Sequence, residues 1–340
     1  MVVSSDMFLK ILLGLLPVLV FLFVLLYMDS FKLVKFRFVI WVILGGALTA
    51  VAAYFSNDFL IGTLQMKFLD YTHFVAPIVE ESLKGLIVVY LFRSNRIGFL
   101  VDSAIMGFAV GAGFALVENL YYLHLVPDAN IAVWIIRGFG TALMHGGVTA
   151  IFAIVAETLT ARHTKPSFFL YLPGLLVAVV LHAIFNQFPV SPVFSTLATL
   201  MALPVLLMVI YRKSVNAMHN WLEVDFDANE ELFATIRAGK FTHSKEGQFL
   251  LNLRDRFDDI IIADLLCYIR LHVELAMRAK TMLMAREYDM DVKVDEEIRD
   301  KFGELHALER NIGKAGILSI KPYLNMSRKE LWQLFLLEEQ

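Results

Sequence analysis

Long apolar runs separated by short charged loops fill the first two thirds of the chain. Hydrophobic stretches cover about 8–28, 38–55, 72–92, 99–123, 131–157, 168–188 and 192–211. Each approaches the ~20 residues that an α-helix needs to cross a bilayer, so the pattern predicts seven spans. Residues 11–28 carry no charge and run on into Tyr27-Met28-Asp29 without a small-residue cleavage site. That predicts a retained first span rather than a signal peptide. After residue 212 the pattern changes. Segments 229–239, 245–288 and 295–312 are rich in Leu, Ala, Glu, Arg and Lys, which predicts helices. A break is expected near Phe257-Asp258, with Asp258 capping a new helix. Ser327 and Glu330 have capping-box spacing before LWQLFLL. The fold predicted is all-α: a polytopic membrane helix bundle of about seven spans (1–213) with a small helical soluble C-terminal domain (214–340).

Composition agrees. The 340 residues are 58% hydrophobic, against about 45–50% apolar in soluble proteins. Residues 1–211 hold 11 of the 30 Lys and Arg and 10 of the 33 Asp and Glu, which leaves 19 and 23 for 212–340. Lys32, Lys35 and Arg37, then Arg93 and Arg96, then Arg162 and Lys165, then Arg212 and Lys213 fall on alternate loops, and the intervening loops carry only Lys67. By the positive-inside rule the N-terminus is outside and the C-terminus cytoplasmic. Arg137 lies near the outer end of the fifth span and does not enter that count. Cys267 excludes an internal disulfide and reads as a small core residue. The C-terminal segment has no glycine-rich phosphate loop, metal-ligand cluster or basic patch. His272 and His306 are isolated, and nothing points to nucleic acid. It reads as a module for an unknown cytoplasmic partner.

The third run, FVAPIVEESLKGLIVVYLF, carries Glu80, Glu81 and Lys84 in its middle. One ionised residue at the centre of a membrane helix costs about 2.5–3.5 kcal/mol on insertion scales, so three within five residues point to function. At 100° per residue Lys84 lies about 40° and Glu81 about 100° from Glu80, which puts the lysine between the two glutamates. Glu80 and Lys84 also have the favourable i,i+4 order. Pro77 has no N–H, so the carbonyl of His73 is expected to lose its partner and to mark a wet pocket beside the pair.

The next three spans add polar groups. Gly107, Gly111, Phe114 and Glu118 share a stripe, with Asn119 beside it. A packing-only GxxxG with Glu118 at the headgroups is the simpler alternative. Gly138, Thr141, His145 and Thr149 form a second stripe, and Ala178, His182 and Asn186 a third. Three chemistries fit this set. A glutamate could act as general base on water, with His and Asn donating to an oxyanion. His and Glu could bind a metal that activates the water. The same groups could relay protons in a transporter. A membrane receptor signalling through its tail is a further alternative. The chain shows one broken helix and no internal repeat, which counts against a transporter.

Glu80-Glu81-Ser82-Leu83-Lys84, Phe114 through Glu118-Asn119, His145-Gly146-Gly147-Val148-Thr149 and His182-Ala183-Ile184-Phe185-Asn186 resemble the motifs of the PrsW family of intramembrane proteases, over roughly 70–190. That family is distantly similar to the Abi/CAAX prenyl protease group. The resemblance implies an intramembrane endopeptidase in the cell (inner) membrane that clips a single-span membrane protein such as an anti-sigma factor on its outer side. It implies Glu80 and Glu81 as the catalytic pair, with Lys84 at their side. His145 and His182 would position water, bind metal or stabilise the oxyanion. Asn186 would be an oxyanion donor, and Glu118 with Asn119 a ligand or orienter. Zinc held by His145, His182 and Glu118 and a metal-free glutamate mechanism both stay open. Glu81 is the first choice for the base and Glu80 the second. In the predicted topology Glu80 lies roughly 13 Å from the outer face at 1.5 Å per residue. His145, about fourteen residues into its span, is expected to lie deeper than the rest.

Overall fold

A computed structural model describes residues 5–29, 31–161, 163, 166–188, 191–288, 290, 296–321, 324 and 328–338. Arg162 and Lys165 of the loop-charge pattern and Ser327 of the capping box lie outside the described residues. Among those described there are helices and no strand. The chain packs as two compact units, 1–161 with 165–214, and 162–164 with 215–340.

The first unit opens with α1 (Ser5–Tyr27) and α2 (Phe36–Leu64). A short α3 (Phe68–Asp70) runs through a π-helical turn (Tyr71–Val75) into α4 (Ala76–Arg93). Then come α5 (Leu100–Leu125) and α6 (Ile131–Ile136), which continues through a second π turn (Arg137–Ala142) into α7 (Leu143–Thr160). A 3-10 turn (Phe168–Tyr171) leads into α8 (Leu172–Gln187), and α9 (Pro192–Arg237) follows. Among the described residues six helices are long and apolar enough to cross a membrane. The expected third span is helical too, but α4 carries Glu80, Glu81, Lys84 and Arg93 and is not one of the six. The chain is an all-α, multi-pass membrane protein.

α5 is the buried axis of this unit, with every residue from Val101 to Ala115 buried. Its small residues make that burial feasible. A Cβ on Gly111 would lie against the backbone carbonyl of His145, and one on Gly113 against that of Ile43. α5 therefore touches α7 on one side and α2 on the other at backbone distance, as small-residue membrane helices do. Its first turn is capped from within. Buried Asp102 accepts from the amides of Gly98 and Phe99 at 2.7 Å and of Ser103 at 3.0 Å, satisfying donors that a helix start leaves free.

α9 runs 46 residues without a break, so the expected helix at 229–239 is the end of a longer one. The second unit continues with α10 (Lys245–Asn252), α11 (Asp259–Glu287), α12 (Glu296–Ile320) and α13 (Arg328–Glu338). The break at Phe257-Asp258 is present, although Asp258 makes no side-chain cap bond. α12 bends at Gly313, whose φ of 68° favours glycine. α11 is the core helix, packed on α12 and α13. Cys267 is exposed, contrary to its reading as a core residue. Leu265, Tyr268 and Ile269 are the buried face there. At 100° per residue, Cys267 points about 200° from Leu265. His272 is buried in that core and His306 is on the surface.

Candidate active site

The two π turns set the stage. Each immediately precedes a charged or histidine motif: 71–75 leads into the helix of Glu80 and Glu81, and 137–142 into that of His145. π turns use i→i+5 hydrogen bonds and recur at functional sites. In the first, the Ala76 amide bonds the Tyr71 carbonyl. The next bond in that register would join Pro77 to Thr72, and proline has no N–H. The freed carbonyl is thus that of Thr72, one residue before the expected His73. It is filled by a side chain: Asn186 Nδ2 donates to Thr72 O at 3.1 Å.

The charged groups converge inside the bundle. Lys84 Nζ donates to Glu81 Oε1 at 2.5 Å and to His145 Nδ1 at 3.0 Å, and it sits 4.4 Å from the centroid of the Phe114 ring. The lysine thus pairs with Glu81 at i,i+3 rather than with Glu80 at i,i+4, because His145 and Phe114 receive it on that side. His182 Nδ1 lies 2.8 Å from Glu81 Oε1, and its Nε2 is 3.8 Å from Glu80 Oε2. The His145 and His182 rings meet edge to face at 4.8 Å. His145 Nε2 lies 3.0 Å from Glu118 Oε2, which Arg137 Nη2 also approaches to 3.3 Å.

His145 therefore joins the other three motifs despite its greater predicted depth. Counting α-helical turns across 137–142 misplaces it, since an i→i+5 turn takes an extra residue. Asn119 spends its amide elsewhere: Nδ2 donates to the Gly14 carbonyl at 2.7 Å and Oδ1 accepts from Arg137 Nε at 2.9 Å. Asn119 and Asn186 therefore hold backbone and Arg137, and neither hydrogen-bonds to Glu80 or Glu81.

Three further residues of the site give little signal in the sequence. Arg137, set aside as near a helix end, pairs with Glu118 and lies 3.8 Å over the Tyr122 ring. Asn57 of α2 donates from Nδ2 to Glu80 Oε1 at 3.4 Å. Tyr71 O–H donates to Asn57 Oδ1 at 2.9 Å. Asn57 lies just past the expected second span, between Ser56 and Asp58, where a polar residue carries no pattern. Pro77 was the one signal near Tyr71.

Three carboxylates thus face two fixed cations. Lys84 takes Glu81 and Arg137 takes Glu118, and among the described residues no lysine or arginine contacts Glu80. Glu80 and Glu118 line a cavity of about 640 Å³ between α2, the first π turn and α5, with Ala50, Ala53, Tyr71 and Phe114 among its walls.

Glu80, His145 and His182 each offer one ligand atom, and these lie within 4.8 Å of one another. The donor chemistry fits a cation at two of the three. Glu81 is acceptor-only when ionised, so it fixes the proton of His182 on Nδ1 and leaves the Nε2 lone pair toward Glu80. A carboxylate behind a histidine is the usual support of a metal-ligating imidazole. The 3.8 Å gap from Nε2 to Glu80 is long for a hydrogen bond. His145 has both nitrogens engaged, by Lys84 and Glu118, and would join on releasing one of them.

A family model described as PrsW family intramembrane metalloprotease matches residues 35–212. No curated protein and no solved structure matches the chain.

Proposed function

The chain belongs to the PrsW family of intramembrane proteases, and from that premise we propose that it hydrolyses a peptide bond of a single-span membrane protein with Glu80 as the group that meets the reacting water. One observation carries this: of the three clustered glutamates, Glu80 is the one that faces the cavity and the histidines with no lysine or arginine on it. Glu81 is 1% exposed and committed to Lys84 and His182, which suits a residue that orients others. This reverses the order of preference from the sequence.

The roles follow from the partners. Glu81 holds His182 in one tautomer, and Lys84 balances the charge of Glu81. Arg137 and Glu118 hold His145 from the other side. The cavity, apolar apart from Glu80, Glu118, Asn57, Asp58, Thr72 and its tyrosine hydroxyls, suits an unwound apolar segment whose backbone amides need partners at the site. A divalent ion such as zinc, held by Glu80 and His182 with His145 as third donor, would polarise the scissile carbonyl and lower the pKa of water. The engaged nitrogens of His145 favour a second reading, in which Glu80 is a general base without metal. An anti-sigma factor cleaved on its outer side is the expected substrate. By the loop-charge expectation the second compact unit would lie in the cytoplasm and meet a partner of its own.

The test is co-expression of Glu80→Gln and Glu81→Gln variants with a single-span membrane reporter. Cleavage is expected to stop in Glu80→Gln, and undiminished cleavage there would sink the proposal.

A further inference from the structure

α2 carries none of the charged motifs, yet it sends one polar side chain to the catalytic carboxylate. Asn57 is half-buried and lines the cavity with Glu80. Its amide could face either way, and Tyr71 decides which. The Tyr71 hydroxyl is held at the start of the π turn on a residue only 2% exposed, and it donates to Oδ1 at 2.9 Å. Nδ2 is thereby turned to Glu80 Oε1 at 3.4 Å. The two oxygens of Glu80 are divided: Oε1 takes the amide, and Oε2 looks toward His182 Nε2 at 3.8 Å.

An amide is the suitable partner here. A lysine or arginine would hold Glu80 equally well but would stabilise its charge and blunt it as a base or ligand. An asparagine N–H holds the carboxylate without adding charge, and with Tyr71 on its oxygen it can present only donors. We infer that Asn57, oriented by Tyr71, is a positioning residue that fixes Glu80 with Oε2 toward His182. The inference rests on the proposed role of Glu80, and it extends the active site to α2 and to the π turn.

The carboxyl stretch of Glu80 tests this without a substrate. In detergent-solubilised full-length protein at acidic pH, Glu80→Gln assigns the band by removing it. A protonated carboxyl that loses a hydrogen bond to its C=O absorbs at higher frequency. The Glu80→Gln-sensitive band is expected to move up in Asn57→Ala, and Tyr71→Phe, which frees the amide to turn, is expected to shift it the same way. A helix-packing role for Asn57 would leave the band in place. An unshifted band in Asn57→Ala, or in Tyr71→Phe should the first variant fail to fold, overturns the inference. With the single-span reporter, Asn57→Ala is expected to slow cleavage on the order of tenfold to a hundredfold, as misplacement of a catalytic group does. If Glu80→Gln still cleaves, the role of Glu80 fails, while the band continues to decide what Asn57 does.

Discussion

Lys84 and Glu81 form an ion pair at 2.5 Å inside the bundle, with side chains 0% and 1% exposed. Removing one partner of a buried pair strands the other charge and costs about 3–5 kcal/mol. Lys84→Met is expected to lose about that much stability. Lys84→Met combined with Glu81→Gln is expected to recover a large part of it, because no charge is then left alone. Thermal unfolding of the four proteins in detergent completes the cycle, and simple additivity of the two single changes would show the pair to be uncoupled.

Glu80→Gln and Glu81→Gln should separate in kind. Glu80 has no lysine or arginine to strand, so its variant is expected to unfold like the parent while cleavage falls on the order of 10²–10⁴-fold. Glu81→Gln leaves Lys84 buried with a neutral partner and loosens His182, so stability and activity should fall together. Paired measurements of reporter cleavage and unfolding temperature check this. The reverse outcome would return the leading role to Glu81.

The packing of α5 on α7 predicts a steric result. Gly111→Ala would place its methyl against the backbone carbonyl of His145, which cannot swing aside as a side chain can. Overpacking of this sort costs about 1–3 kcal/mol, and here it would also move His145. Gly62→Ala is the control, since a Cβ there meets nothing within 4 Å. Gly111→Ala is expected to lose stability and cleavage and Gly62→Ala neither.

The second unit should respond to acid through His272. Burial, with the positive charge of Lys280 as a smaller cause, lowers its pKa from the ordinary 6.5 to about 4. The unfolded chain then binds a proton that the folded core refuses. This contribution is present above about pH 6.5 and is lost as pH falls through about 4, at about 1.4 kcal/mol per pH unit. His272→Phe is expected to flatten the acid limb of stability over that window. Hydrogen exchange along α11 of the full chain, followed against pH, measures it.

Much of the fold was legible because apolar runs near 20 residues admit few structures and charged loops divide them. The glutamate pair was legible because charge inside such a run is costly. Asn57 and Arg137 were not: a single amide or guanidinium in an apolar helix acquires meaning only when another helix brings Glu80 or Glu118 to it. The π turns were half legible. Pro77 signalled a break, but the i→i+5 register that frees Thr72 instead of His73, and that brings His145 level with Glu118, depends on packing between helices. Cys267 shows the same limit, since a small apolar residue fits either face of α11 until its neighbours choose.

Metal removal decides how water is activated. Glu81 behind His182 and the open gap from His182 Nε2 to Glu80 suit a cation, whereas Lys84 and Glu118 close both nitrogens of His145. With zinc in the site, purified protein is expected to carry about one equivalent, since one cluster of this spacing occurs among the described residues. His182→Ala should then lose the metal. Glu118→Gln should keep it, because it leaves Glu80 and His182 intact and weakens one of the contacts that engage His145. Cleavage should stop in strong chelator and return on adding zinc. Full cleavage in chelator by metal-free protein would instead assign the water to Glu80 alone, with His182 and His145 as its hydrogen-bonding partners.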